Sequence, residues 1–232
     1  MQIVNLNSAI QQTKQLNGYW LLSCSLAEPL ALNNGLDKEF YFPSYPKQTL
    51  RLFQANSRNN SYQFLCSQTF SEKFCANPEN LQTDSDELLE LPSDNSSCLI
   101  LGADLAMANV FALAQLCHQQ ESCKALLSSH KSFPFMVKPA RFLMAQTPAE
   151  AIGASTLLED WKIPNRLASQ QGLPGCLDGN LVELFSFWLE AMAYTQVDTP
   201  PNWQIMIFAD NETKKQCAQL CKDVNWVELL NA

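Results

Sequence analysis

Glycine, histidine and charge are all scarce in this chain. Of 232 residues seven are glycine, two are histidine and 16% are charged. Neither His118 nor His130 has a cysteine or carboxylate cluster beside it in sequence, so both are expected at the surface or at a helix end and no metal site is expected. The CxxC spacing is missing as well. The nine cysteines (Cys24, Cys66, Cys75, Cys98, Cys117, Cys123, Cys176, Cys217, Cys221) are odd in number and follow no framework. Their closest spacing, Cys217-x3-Cys221, puts both sulfurs on one helix face and reads as small core filler. No apolar run reaches the ~18 residues of a membrane span, so no membrane partner is expected. Residues 1–20, MQIVNLNSAIQQTKQLNGYW, offer neither a basic leader with an apolar stretch nor a small-residue cleavage site. That segment is expected not to be a signal peptide, the thiols are expected to be reduced, and the protein is expected to be cytoplasmic. Cations are outnumbered, 15 Lys and Arg against 23 Asp and Glu, and the net charge of −8 argues against nucleic acid as a partner. No Ser/His/Asp or Cys/His set with usable spacing and no paired-carboxylate motif appears, so hydrolytic chemistry has no support.

What the chain does have is apolar material, 47% hydrophobic, enough for one large core or two modest ones. Residues 1–95 read as short aromatic-rich strands between polar turns: Tyr19–Ser25, Glu39–Tyr45, Thr49–Gln54 and Ser61–Ser67, with Glu87–Leu91 as one more. That texture predicts a small antiparallel β-barrel. Residues 96–232 alternate strand and helix, which predicts a parallel sheet covered on both faces. Strands are expected at Cys98–Leu101, Lys124–Ser128, Ala140–Ala145, Arg166–Ser169 and Trp203–Ala209. Helices are expected at Ala106–Gln119, at Pro148–Trp161 behind the cap Thr147, at Leu181–Met192, and at Glu212–Lys222 behind Asp210 or Asn211. Phe185, Trp188 and Met192 form an apolar stripe that reads as packing. The segment Ser132–Arg141 joins Phe133, Phe135 and Pro139 with Lys138 and Arg141, close to Lys131. It is read as a loop packed by its aromatics, with an anion or partner contact as the sharper alternative.

The most informative stretch is Ser97–Gln115, SCLILGADLAMANVFALAQ, where an apolar strand breaks at Gly102 and resumes with helical spacing. Such a turn can hold a phosphate against a helix N-terminus. Here Ala103 and Asp104 stand where further glycines would let the backbone close on a pyrophosphate, and the Asp104 carboxylate is expected to repel one.

A barrel followed by a parallel α/β domain resembles the ferredoxin reductase superfamily, and several segments look like the electron-transfer subunit of dihydroorotate dehydrogenase. The resemblance implies a flavin site in the barrel through an Arg-x-Tyr/Phe-Ser/Thr motif. Arg51-Leu52-Phe53-Gln54 matches it at Arg51 and Phe53 and departs at Gln54. It implies a pyridine-nucleotide site at Gly102, Ala103 and Asp104, where the family's glycine run is reduced to Gly102. It also implies that the glycine-spaced segment Gly172-Leu-Pro-Gly175-Cys-Leu-Asp-Gly179 belongs to the cofactor site, although its glycines serve turns equally well. The family's Cys-Gly-Pro motif is replaced by Ala209-Asp210-Asn211, and its four-cysteine 2Fe-2S tail is not matched before Ala232.

Two functions follow from the resemblance. One is an active electron-transfer oxidoreductase that uses FAD and NAD(P)H to serve a partner enzyme. The other keeps the fold, binds cofactors weakly or not at all, and acts as an interaction or regulatory subunit for a protein partner. The coincident departures at Gln54, Ala103, Asp104 and Ala209 favour the second.

Overall fold

In the aromatic-rich half, stretches such as Leu22 to Cys24 and Phe40 to Phe42 bury alternate side chains, which is the pattern of strands with one wet face. The computed structural model describes residues 2–85, 87–93, 96–117, 122–194 and 202–231. Its first half contains β1 (Gln2–Val4), β2 (Gln11–Lys14), β3 (Trp20–Ser25), α1 (Leu32–Gly35), β4 (Phe40–Phe42), β5 (Tyr45–Asn56), β6 (Ser61–Cys66), α2 (Glu72–Ala76) and β7 (Leu81–Thr83). The seven strands form one antiparallel sheet in the order β1-β7-β4-β5-β6-β3-β2. Its two ends are drawn together by the chain after β1, where Leu6 bridges Leu26, the Asn7 N–H donates to Ser25 O, and the Ala27 N–H donates to Asn5 O. The expected barrel is therefore present, filled by Phe40, Phe42, Leu50, Leu52, Tyr62 and Phe64.

Two expected strands in this half differ. Glu39–Tyr45 is a hairpin rather than one strand. Pro43 and Ser44 form its turn, and Ser44 is pinned through its N–H and hydroxyl to Glu79. Glu87–Leu91 forms no strand among its described residues; Leu88 is 69% exposed and a single backbone bond, Leu89 N–H to Asn33 O, ties the segment down.

The second half runs β8 (Ser97–Ala103), α3 (Ala108–Cys117), β9 (Cys123–Ser129), β10 (Val137–Pro139), β11 (Gly153–Ser155), α4 (Thr156–Asp160), β12 (Asn165–Ser169), β13 (Leu177–Asp178), α5 (Leu181–Tyr194), β14 (Trp203–Phe208), α6 (Asn211–Cys221) and β15 (Val227–Leu229). Six strands pair in parallel in the order β13-β12-β9-β8-β14-β15, so the winding reverses between β8 and β14. The residues of β8 divide the core. Cys98 and Ile100 face α3 and share one continuous cluster with the barrel, whereas Leu99 and Leu101 join α5 and α6 on the other side. Phe185, Trp188 and Met192 are buried there as a packing stripe, and Cys217 and Cys221 are core filler. Burial pushes the Cys217 thiol up to about 12 and the Cys221 thiol to about 11, so both stay protonated and inert.

The stretch between β9 and β12 departs most from expectation. Ala140–Ala145 is not a strand: the Arg141 N–H donates to the buried Glu159 carboxylate at 2.7 Å, its guanidinium bonds Glu159 and Asp160, and the chain bends there. The expected helix Pro148–Trp161 survives only as Thr156–Asp160, behind Ser155 rather than Thr147. Its first half is taken by β11, which pairs with β10 and whose Gly153 N–H donates to Gly175 O at 2.6 Å. The helix expected over Ala106–Gln119 begins as a 3-10 turn, Asp104–Met107, before α3, and residues 118–119, His118 included, lie outside the described residues. Asp210 caps α6 as expected, accepting from the N–H groups of Glu212 and Thr213.

Candidate functional site

Open parallel sheets bind ligands outside the carboxyl ends of their strands, at the point where the order reverses. Gly102, Ala103 and Asp104 close β8 at this edge. A Cβ on Gly102 would lie 2.4 Å from Val110 Cγ2 and 2.9 Å from the Met107 Cα, so the glycine is what lets the 3-10 turn and α3 fold back onto the strand. Asp104 follows with φ at +47°, a left-handed conformation. Its carboxylate turns toward the end of β9. It accepts from the His130 N–H at 2.8 Å and from the Ser129 hydroxyl at 3.3 Å, and meets His130 Nδ1 at 2.6 Å. Among the described residues His130 thus has a single carboxylate, Asp104, beside it, brought there from another element. The Ser129 hydroxyl lies within hydrogen-bond reach of the Asp104 carboxylate and of Ser132 O. Asp104 and His130 line a cavity of about 470 Å³ with Tyr19 and Lys131. Burial raises the Tyr19 pKa, a hydrogen bond with Ser129 lowers it, and the Asp104 charge raises it.

The glycine-spaced segment meets the same edge beyond β9, where Gln171 Nε2 donates to His130 O. Gly172 and Gly175 have φ of +60° and +80°, and Gly175 lies against the Gly153 backbone. Gly179 precedes a reciprocal cap on α5 in which the Asn180 N–H donates to Glu183 and the Glu183 N–H donates to Asn180. Each glycine has a task in the architecture itself.

Arg51 and Phe53 lie two residues apart in β5 but lead into different surroundings. Arg51 opens on a groove of about 700 Å³ that runs from the barrel to Ala209, Asn211 and Lys214 at the end of β14. Its guanidinium is bonded to Glu39 at 2.6 Å, and Lys214 is paired with Asp37. Burial lowers the Arg51 pKa, and the charges of Glu39 and Asp37 oppose that shift. Asp84 and Glu87 add further acid to the groove, so its carboxylates outnumber its cations. Phe53 is the extra residue of a β-bulge and packs its ring on Phe111 of α3, with centroids 4.8 Å apart. The cavity at its free edge holds about 270 Å³, at the lower limit of ordinary ligand pockets (~300–1,000 Å³). Nearby, the Asn109 side chain donates to Leu52 O and locks α3 to the barrel.

No protein-family model matches the sequence, and no curated protein matches it significantly. Solved structures do match the fold. A ferredoxin reductase in carbazole 1,9a-dioxygenase aligns over 100% of this chain and 70% of its own, with a TM-score of 0.60 and 10% identity. The chain has the ferredoxin reductase fold. The Amycolatopsis cytochrome P450 reductase GcoB shares it over 99% of this chain and 69% of that one, with a TM-score of 0.58 and 9% identity. The flavohem-like FAD/NAD-binding domain of nitric oxide dioxygenase from Vibrio cholerae O1 biovar El Tor matches over 100% of this chain and 99% of its own, with a TM-score of 0.52 and 8% identity.

At the positions the resemblance implies for a flavin or dinucleotide, the charged groups are bonded to their own neighbours in this arrangement. A diphosphate needs free cations or bare backbone N–H groups. At Arg51 it would compete with Glu39, and at the Gly102 turn it would meet Asp104. A flavin ring seeking an aromatic face would find Phe53 covered by Phe111. The Asp104–His130 pair, the Glu39 partner of Arg51 and the Phe53–Phe111 contact were all missed in the sequence. Each joins residues from separate elements, and no local spacing signals it.

Proposed function

We propose that this chain is a ferredoxin-reductase-fold protein that has lost the redox chemistry of that fold and serves as an interaction or regulatory subunit for a protein partner. Under this reading a flavin-site-like barrel occupies residues 1–95 and a pyridine-nucleotide-site-like domain residues 96–232. Its ancestry is that of electron-transfer subunits of the dihydroorotate dehydrogenase type, and its place is the cytoplasm. The observation that carries the reading is internal satisfaction. Groups that would hold cofactors in such a fold are bonded to their own neighbours, Asp104 to His130 and Arg51 to Glu39. Support for a partner comes from the segment between β9 and α4, which holds out Leu143, 96% exposed, with Met136 and Ile152 beside the cations Lys131 and Lys138.

Calorimetric titration of NADH and NADPH into the wild type and Asp104→Gly tests the nucleotide half of this reading. Like charges at contact cost about 1 to 4 kcal/mol between water and a partly screened site. Removing the carboxylate is therefore expected to tighten binding by about one to three orders of magnitude from a very weak wild-type affinity. Micromolar wild-type binding that the substitution leaves unchanged would contradict it.

A further inference from the structure

At the opposite, amino-terminal edge of the parallel sheet, three thiols converge. Cys98 is the second residue of β8, Cys123 opens β9 as its register partner, and Cys117 ends α3 above them. The three sulfurs lie within 4.8 Å of one another, and the residues are 0%, 4% and 3% exposed. Among the described residues no other histidine, cysteine, aspartate or glutamate joins the group. We propose that Cys98, Cys117 and Cys123 form a three-sulfur site for a soft monovalent cation, copper(I).

The donor set selects the ion. Thiolates favour copper(I), zinc and iron–sulfur centres over hard cations. Zinc takes four ligands in structural sites, and among the described residues this group offers three, all buried. Copper(I), a closed-shell ion with no directional demand, is satisfied by three sulfurs in a plane. Metal–sulfur bonds of about 2.3 Å put the sulfurs of a trigonal site about 4.0 Å apart, inside the spacing the fold already holds. In the metal-free protein, Cys98 and Cys123 are kept as neutral thiols by the hydrogen bonds each shares with Cys117 and by burial. Binding forms copper–sulfur bonds, breaks S–H bonds and releases one proton for each thiolate formed; the ion enters and remains as copper(I), so no electron moves. The ion would tie α3 to β8 and β9, and α3 is the helix whose Asn109 and Phe111 hold the barrel.

Anaerobic titration of the full chain with copper(I) bicinchoninate tests the site, read by competition for the ion and by X-ray absorption. The expected result is one copper retained per chain, with three sulfur neighbours and no nitrogen or oxygen. Loss of an outer partner of a metal ligand already costs 10–100-fold, so loss of a ligand itself in Cys98→Ala or Cys123→Ala is expected to weaken binding by more than about a hundredfold. Cys217→Ala, outside the group, is expected to bind as the wild type does. Failure to retain copper against bicinchoninate, retention undiminished in Cys98→Ala and Cys123→Ala, or a first shell containing nitrogen or oxygen would each overturn the assignment. The sulfur count is measured on the wild type, so the answer does not depend on the variants folding.

Discussion

Gly102→Val is expected to destabilise the chain by about 3 kcal/mol or more, the upper part of the range for forcing extra atoms into a packed core. A Cβ there would sit 2.4 Å from Val110 Cγ2, 2.9 Å from the Met107 Cα and 3.2 Å from Leu127 Cδ2. Val110 and Leu127 are side chains in a full core and Met107 Cα is backbone, so nothing nearby is a flexible surface tip. Gly102→Ala is expected to cost about 1–3 kcal/mol by the same clash without the extra methyls. Urea unfolding of both variants measures the effect. A Gly102→Ala cost within about 0.5 kcal/mol, the scatter of an ordinary surface substitution, would mean that the turn has room. The glycine would then need an explanation other than the return of α3 onto β8.

Trp188→Ala is expected to cost about 3–5 kcal/mol, the range for truncating a large buried aromatic. Trp188 is fully buried on the inner face of α5, edge-on to Trp203 at 5.0 Å, tilted to Trp226 at 5.9 Å and stacked with Phe185 at 6.2 Å. Its indole N–H finds no acceptor among the described residues. An unsatisfied buried donor costs roughly 1–3 kcal/mol, so Trp188→Phe, which removes the donor along with part of the ring, is expected to lose much less than the alanine variant. Thermal and urea denaturation of the pair distinguishes packing from polarity. Equal losses in both variants would point to an indole hydrogen bond that the described residues do not supply.

The division into barrel and parallel sheet was legible because it rests on period. The runs around Trp20, Leu52 and Phe64 alternate, whereas Leu99–Leu101 and Ile205–Phe208 are apolar throughout, as strands covered on both faces must be. Short polar strands such as β2, QQTK, and β7, LQT, carry no period and owe their form to neighbours across the sheet. The helix expected from Pro148 failed for a tertiary reason: Gly153 has to lie against Gly175, and only an extended chain brings it there. At the cofactor positions, Arg51, Phe53, Gly102 and Asp104 could be picked out by resemblance. What those residues do could not, since Glu39, Phe111 and His130 reach them from other elements. The same limit hid the three thiols, which lie on β8, α3 and β9 with no recognisable ligand spacing.

Reconstitution with flavin is the most direct test of the claim that this fold has closed its own redox site. The full chain is incubated with excess FAD and separately with FMN, desalted, and read for visible flavin absorbance per mole of protein. With Arg51 held by Glu39 and Phe53 covered by Phe111, the expected result is a colourless protein with either flavin. Flavin retained at one per chain, and lost on substitution of Arg51, would contradict the account and restore the chain to the working electron-transfer flavoproteins.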